Sequence, residues 1–191
     1  MAQSQTLVQA TVGAQSVLGK AMIVAAGSVL IALGAQISVP MLPVPMTLQT
    51  LAVVLVGLTA GSRLGAGAVL AYLAEGAMGL PVFAGGGAGF AWLMGPTAGF
   101  LFGFVALAFA AGLLAERGVA RGFIGTFIGV AVISALLYVP GVLWLTAITP
   151  LSFGGAAQAG MVPFLLGDVV KAAVAALIVT GAWTALKSRR G

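Results

Sequence analysis

The sequence predicts an all-α integral membrane protein, a six-transmembrane-helix bundle with both termini in the cytoplasm. Three observations carry this expectation. Hydrophobic residues make up 61% of the chain and charged residues 6%, where an ordinary soluble domain is roughly 25% charged. The 191 residues hold about six apolar runs near the ~20 residues that cross a hydrocarbon core, with short turns between them. All but one of the eight basic residues gather in alternate connections or flanks. Segments facing lipid have to be helical, because an open sheet edge leaves backbone groups unsatisfied.

Apolar runs read against Pro, Gly and charge punctuation give spans at 20–38, 46–61, 64–80, 96–115, 121–146 and 161–186. The second opens after the rigid segment Pro40-Met41-Leu42-Pro43-Val44-Pro45, and it and the third are short. They form one domain over 20–186, preceded by a cytoplasmic tail or interfacial helix over 1–19 and followed by a short basic tail at 187–191. Residues 1–19 show neither a basic leader nor a compact apolar core, so no cleavable signal is expected there.

With these spans, Lys20, Arg63, Arg117, Arg121, Lys187, Arg189 and Arg190 all fall on one side. The alternate connections, 39–45, 81–95 and 147–160, contain no charged residue. The positive-inside rule then sets the orientation, in the cytoplasmic membrane, with the uncharged loops outside. The net charge of +5 is accounted for by these flanks, and no nucleic-acid partner is expected. Glu116 reads as an interfacial charge beside Arg117.

Glu75, Asp168 and Lys171 remain inside the spans. An ionisable group mid-membrane costs about 2.5–3.5 kcal/mol on insertion scales, so it usually meets a partner or a cavity. Asp168 and Lys171 stand at i and i+3, on one helix face. Counted at ~1.5 Å per residue, they lie roughly 10 and 15 Å from the outer end of the sixth span, and Glu75 about 7–8 Å from that of the third. Gln49, Tyr72, Tyr138, Trp92 and a glycine-rich loop around Gly85 and Gly86 gather at the same level. Two readings stay open: a salt bridge that holds helices together, or an outward-facing polar cup with aromatic walls for a small, partly apolar solute. The aromatic residues fit either an interfacial belt or such a cup.

Chemical catalysis is not expected. Without His or Cys the chain lacks a Ser-His dyad, a HExxH metal site and a thiol nucleophile. A carboxylate dyad would need Glu75 and Asp168 together, and Lys171 beside Asp168 favours an ion pair instead. The nearest approach to a phosphate-binding loop, Gly13 through Gly19-Lys20-Ala21, has the wrong spacing and ends in Ala. No cofactor or metal is expected.

Four segments carry a family resemblance: Val39-Pro40-x-x-Pro-Val-Pro45-Met46-Thr47-Leu48-Gln49; Ala71-Tyr72-Leu73-x-Glu75-Gly76-x-x-Gly79-Leu80-Pro81-Val82-Phe83-Ala84-Gly85-Gly86; Gly95-Pro96-Thr97-x-Gly99; and Pro163-Phe164-x-x-Gly167-Asp168-x-x-Lys171. From about residue 20 onward the chain resembles the BioY family, the biotin-specific substrate-binding (S) components of energy-coupling-factor (ECF) transporters. The resemblance implies a six-helix S-component fold, capture of biotin from outside, and docking to a transmembrane coupling (T) protein with two ATPase subunits. It implies a substrate-binding role for Asp168 and Lys171, then for Glu75, Gln49, Tyr72, Gly85, Gly86 and Trp92. It also implies a docking face at Ala21 and Ala25 on the first helix. A solitary or homo-oligomeric vitamin facilitator, or a structural membrane subunit, are the alternatives.

Overall fold

The structure is a computed structural model and describes residues 5–12 and 16–188. Arg189 and Arg190 of the expected basic tail, and Gly13 of the loop compared above with a phosphate site, lie outside the described residues. Eight α-helices are present among the described residues: α1 (Leu7–Val12), α2 (Val17–Gln36), α3 (Gln49–Ala60), α4 (Ser62–Ala77), α5 (Ala98–Glu116), α6 (Phe123–Ile148), α7 (Phe153–Gly160) and α8 (Leu165–Ser188). A two-residue antiparallel pair, β1 (Ser38–Val39) with β2 (Met46–Thr47), closes the neck of the proline-rich loop between α2 and α3. Among the described residues four stretches suffice by length and apolarity to cross a membrane: α2, α5, α6 and the run Phe153–Ser188. At 12 and 16 residues, α3 and α4 fall short of the ~20 residues of a full span.

Local chemistry explains where the observed ends depart from the expected ones. The third expected span runs to residue 80, whereas α4 stops at Ala77. Gly79 takes φ 101°, its N–H donates to the Gly76 carbonyl, and the Leu80 N–H donates to that of Glu75. Both bonds of a Schellman stop are thereby made, and glycine alone enters the left-handed region without strain. At the other end of the chain, Pro163 interrupts the expected sixth span, and α8 starts only at Leu165 after a 3₁₀ turn.

α5 is the central helix, packed against α3, α4 and α6. Small residues bring these axes together. A Cβ on Gly65 would lie 2.9 Å from the Gly57 Cα, and one on Gly57 would collide with the Ala108 carbonyl. Van der Waals contact between backbones is what joins helices when lipid offers no hydrophobic drive. The outward faces stay apolar: Leu33, Ile124, Leu136, Leu166 and Leu177 are all exposed. The short α1 packs on α3 with Thr6, Leu7 and Ala10 buried.

Glu116 has a partner that the sequence did not indicate. Its Oε1 accepts from the Ser62 N–H (2.8 Å) and the Ser62 hydroxyl (2.9 Å). The carboxylate thus caps the first turn of α4 from the end of α5, 54 residues away in sequence, where the helix dipole favours negative charge. The one salt bridge among the described residues is elsewhere, so Glu116 is not paired with Arg117.

Candidate ligand-binding site

Asp168 and Lys171 form the ion pair that their spacing predicts, Nζ to Oδ1 at 3.1 Å. Both side chains are mostly enclosed, 13% and 12% exposed, so neither charge is left to bulk water. The neighbouring helices supply further partners. Tyr138 of α6 donates its hydroxyl to Asp168 Oδ2 at 2.5 Å, and Lys171 donates to Thr50 Oγ1 of α3 at 2.8 Å. Three helices therefore converge on one acid–base pair. Each carboxylate oxygen keeps spare lone pairs, and one ammonium N–H stays uncommitted.

This cluster forms the polar foot of a cavity between α3, α5, α6 and α8, of which about 60 Å³ is open to the centre of a water molecule. Phe100, Leu101 and Phe104 of α5, Leu137 of α6 and Phe164 before α8 make its apolar walls. Gly141 allows Phe100 to lie against α6, since a Cβ there would overlap the ring. Above, the cavity opens into a wider vestibule of about 500 Å³ between Pro40-Met41-Leu42-Pro43 and the loop containing Gly85, Ala88 and Ala91. Pro45, Ala84, Trp92 and Thr97 border both spaces, so Trp92 stands at the mouth.

The glycine-rich loop shapes that mouth through an aromatic ladder. Trp92 stacks on Phe83 (6.3 Å between centroids, 8° between planes), and Phe83 meets Tyr72 edge-on at 5.5 Å. Trp92 lies so close to Gly87 that a Cβ there would come within 2.7 Å of its ring. Gly76 likewise makes room for Phe83, whose ring a Cβ would overlap. These two glycines serve the seating of rings.

The residues singled out from the sequence divide accordingly. Asp168, Lys171, Gln49 and Trp92 line the cavity. Gln49 is 3% exposed, and its Nε2 lacks a hydrogen-bond partner. Tyr72 does not reach the cavity. It is fully buried behind the wall, and its hydroxyl has no partner besides the Gln49 side chain that it faces. Gly85 borders the vestibule, and Gly86 donates its N–H to Gln36 Oε1 at 3.1 Å. Glu75 is not brought to the cavity at all. It borders a separate crevice with Val29, Leu33, Gln36 and Leu80, where its Oε1 accepts from the Ser28 hydroxyl at 2.8 Å. The third helix turns it away from Asp168, and the carboxylate dyad considered above does not form. Ala21 and Ala25 are exposed on α2.

Thr50, Thr97, Phe100, Phe104 and Phe164 are wall residues that sequence reading missed. The phenylalanines sit in uniformly apolar runs, where no periodicity marks a cavity-facing side. Thr50 gave one signal, its place directly after Gln49 in the first turn of a helix that opens on a proline-rich loop.

Comparison with known proteins places this geometry in a family. A model described as the BioY family matches residues 4–188. The chain is 42% identical over 149 residues to the "Probable biotin transporter BioY" of Pyrococcus horikoshii, covering 78% of this chain and 86% of the relative. It is 41% identical over 163 residues to the "Biotin transporter BioY" of Rhizobium etli, covering 79% and 85%. A similar 41% over 167 residues relates it to the protein of that name from Rhodobacter capsulatus, covering 79% and 85%. In fold it is similar to a crystal structure, at 2.1 Å, of the S-component for biotin from an ECF-type ABC transporter. The TM-score is 0.77 at 23% identity, over 93% of this chain and 96% of the other. Family, relatives and fold agree: this chain belongs to the BioY family.

Proposed function

We propose that this protein captures biotin from outside and serves its uptake across the cytoplasmic membrane, as the S component of an ECF-type transporter. It is a transport protein and not an enzyme. The observation that carries the reading is the pairing of one polar foot with apolar walls in a cavity that opens on a vestibule. Biotin has a ureido group with two N–H donors and a carbonyl, an apolar bicycle, and a carboxylate on an alkyl chain. The spare lone pairs of Asp168 accept from ureido N–H groups. The uncommitted N–H of Lys171 and the unpartnered Nε2 of Gln49 donate to ligand oxygen. Phe100, Phe104, Phe164 and Trp92 cover the bicycle.

Six membrane-crossing segments, both termini in the cytoplasm and the vestibule outside complete the reading. The sorting of basic residues supports that orientation, and α3 and α4, joined at Gly61 and packed on α5, cross as a covered pair. Energy comes from a T protein and two ATPase subunits. Docking engages the exposed small face of α2 at Ala21 and Ala25.

Equilibrium binding of labelled biotin to the purified protein tests this proposal. Asp168→Asn and Lys171→Ala each remove a charged hydrogen bond, and affinity is expected to fall about 10- to 100-fold. Wild-type affinity in both variants would make the pair a helix staple instead of a ligand site.

A further inference from the structure

A second, much smaller cavity lies on the other side of the ion pair from the main one. It is lined by Thr50, Leu51 and Val54 of α3, Val130 and Ser134 of α6, and Asp168, Lys171 and Ala172 of α8. About 10 Å³ of it is open to the centre of a water molecule, at the lower edge of the ~10–15 Å³ that one buried water needs. The apolar surroundings are interrupted only by four polar side chains, within the two to four partners that such a water takes.

Ser134 is the residue that gives this cavity a purpose. It is 6% exposed. The threonine hydroxyls of α6 and of its C-terminal cap donate back along the chain: Thr126 to the Gly122 carbonyl at 2.7 Å, Thr146 to Val142 at 2.9 Å and Thr149 to Leu145 at 2.7 Å. Ser134 makes no such bond, nor any other hydrogen bond among the described residues, and it faces the cavity. Thr50 is in a related position. Its oxygen accepts from Lys171, which leaves its own O–H proton to be placed, and it stands too early in α3 to reach a carbonyl one turn back within the helix. Two hydroxyl protons therefore need an acceptor, none of the wall oxygens accepts from Ser134 directly, and the strongest acceptor in the wall with lone pairs to spare is the Asp168 carboxylate. A water molecule matches this arrangement. Its oxygen accepts from Ser134 and Thr50, and its protons reach Asp168.

We infer that this cavity is a binding site for a single water, and that Ser134 is a positioning residue acting through it. The water turns the Thr50 oxygen toward Lys171 and takes the acceptor capacity of Asp168 on the inner side. The third N–H of Lys171 and the outer lone pairs of Asp168 then remain directed at the main cavity. Ser134 lies one helical turn from Tyr138, on the same face of α6. α6 thus holds the ion pair twice, directly through the Tyr138 hydroxyl and indirectly through the water. The consequence for ligand affinity rests on the function proposed above; the water site does not.

The test combines a crystal structure near 2 Å with biotin binding. Wild-type density is expected to show one water between Ser134, Thr50 and Asp168. Ser134→Ala is expected to bind biotin about three- to tenfold more weakly, and Ser134→Thr, which keeps the hydroxyl, to recover most of the loss. Thr50→Val and Ser134→Ala act through one water, so the double variant should lose less than the product of the single losses. Wild-type density that is empty or apolar in character overturns the water site. Density with the water present, but Ser134→Ala within twofold of wild type, overturns the positioning role. Failure of the wild type to bind biotin overturns the proposed function alone, and the density then decides the water site by itself.

Discussion

At the scale of single residues, the chain spends its rare ionisable groups in two different ways. Asp168 and Lys171 meet one another and two hydroxyls, a network that keeps both charges enclosed yet leaves hydrogen-bonding capacity pointing into an open space. Glu75 meets a serine on the neighbouring helix and faces a separate crevice. Equal oddity in the sequence thus conceals unequal roles. Trp92 offers a direct readout of the cavity. It is 36% exposed at the mouth, whereas Trp144 is tied by its Nε1 to the Gly95 carbonyl and Trp183 lies under Arg121. Biotin is expected to shift tryptophan emission to shorter wavelength by covering Trp92, and Trp92→Phe to abolish the shift. Replacing it by Ala should weaken binding about tenfold, since a large aromatic anchor carries a disproportionate share of contact energy. An unchanged spectrum on saturation with ligand would remove Trp92 from the site.

At the scale of elements, α3 and α4 are set by their junction more than by their own apolarity. Gly61 turns the chain at φ 95°, and the Glu116 carboxylate caps the helix that follows. Gly112 lets α5 come this close, because a Cβ there would overlap the Ser62 nitrogen. Removing the cap by Glu116→Ala should cost about 1–2 kcal/mol, the usual worth of an N-terminal cap. Glu116→Gln, which keeps one accepting oxygen, should cost less. Thermal unfolding in detergent measures both, and equal melting of all three proteins would show the contact to be incidental. The sequence placed this glutamate at a helix end beside Arg117 but did not show that it reaches Ser62. The adjacent Arg117 is close in the chain, but the helix end points the carboxylate across the turn at α4.

At the scale of the whole molecule, the arrangement joins an apolar exterior and an apolar core to one cavity that has a polar foot and opens at one end. The chain contains no cysteine, so single cysteines can report the orientation directly. Gly154→Cys in α7 and Gly122→Cys before α6 are both introduced where a Cβ meets nothing within 4 Å. An impermeant thiol reagent applied to intact cells should label position 154 and spare 122. The reverse pattern would invert the topology and place the vestibule inside.

Membrane class, the helical character and the acid–base pair on one face of the last helix were legible in the chain, because each depends on local quantities. Those quantities are apolar run length, the need of a backbone in lipid to bond itself, and a three-residue spacing. What converges on that pair was not legible. Tyr138 and Thr50 lie 30 and 121 residues from their partners, and Phe100 reaches the cavity only because Gly141 is missing a side chain on another helix. In a helix apolar on every side, hydropathy does not say which face turns inward. The packing of α8 on α3 and α6, and of α4 on α2 and α5, made that choice, and with it decided that Asp168 looks into the cavity and Glu75 away from it.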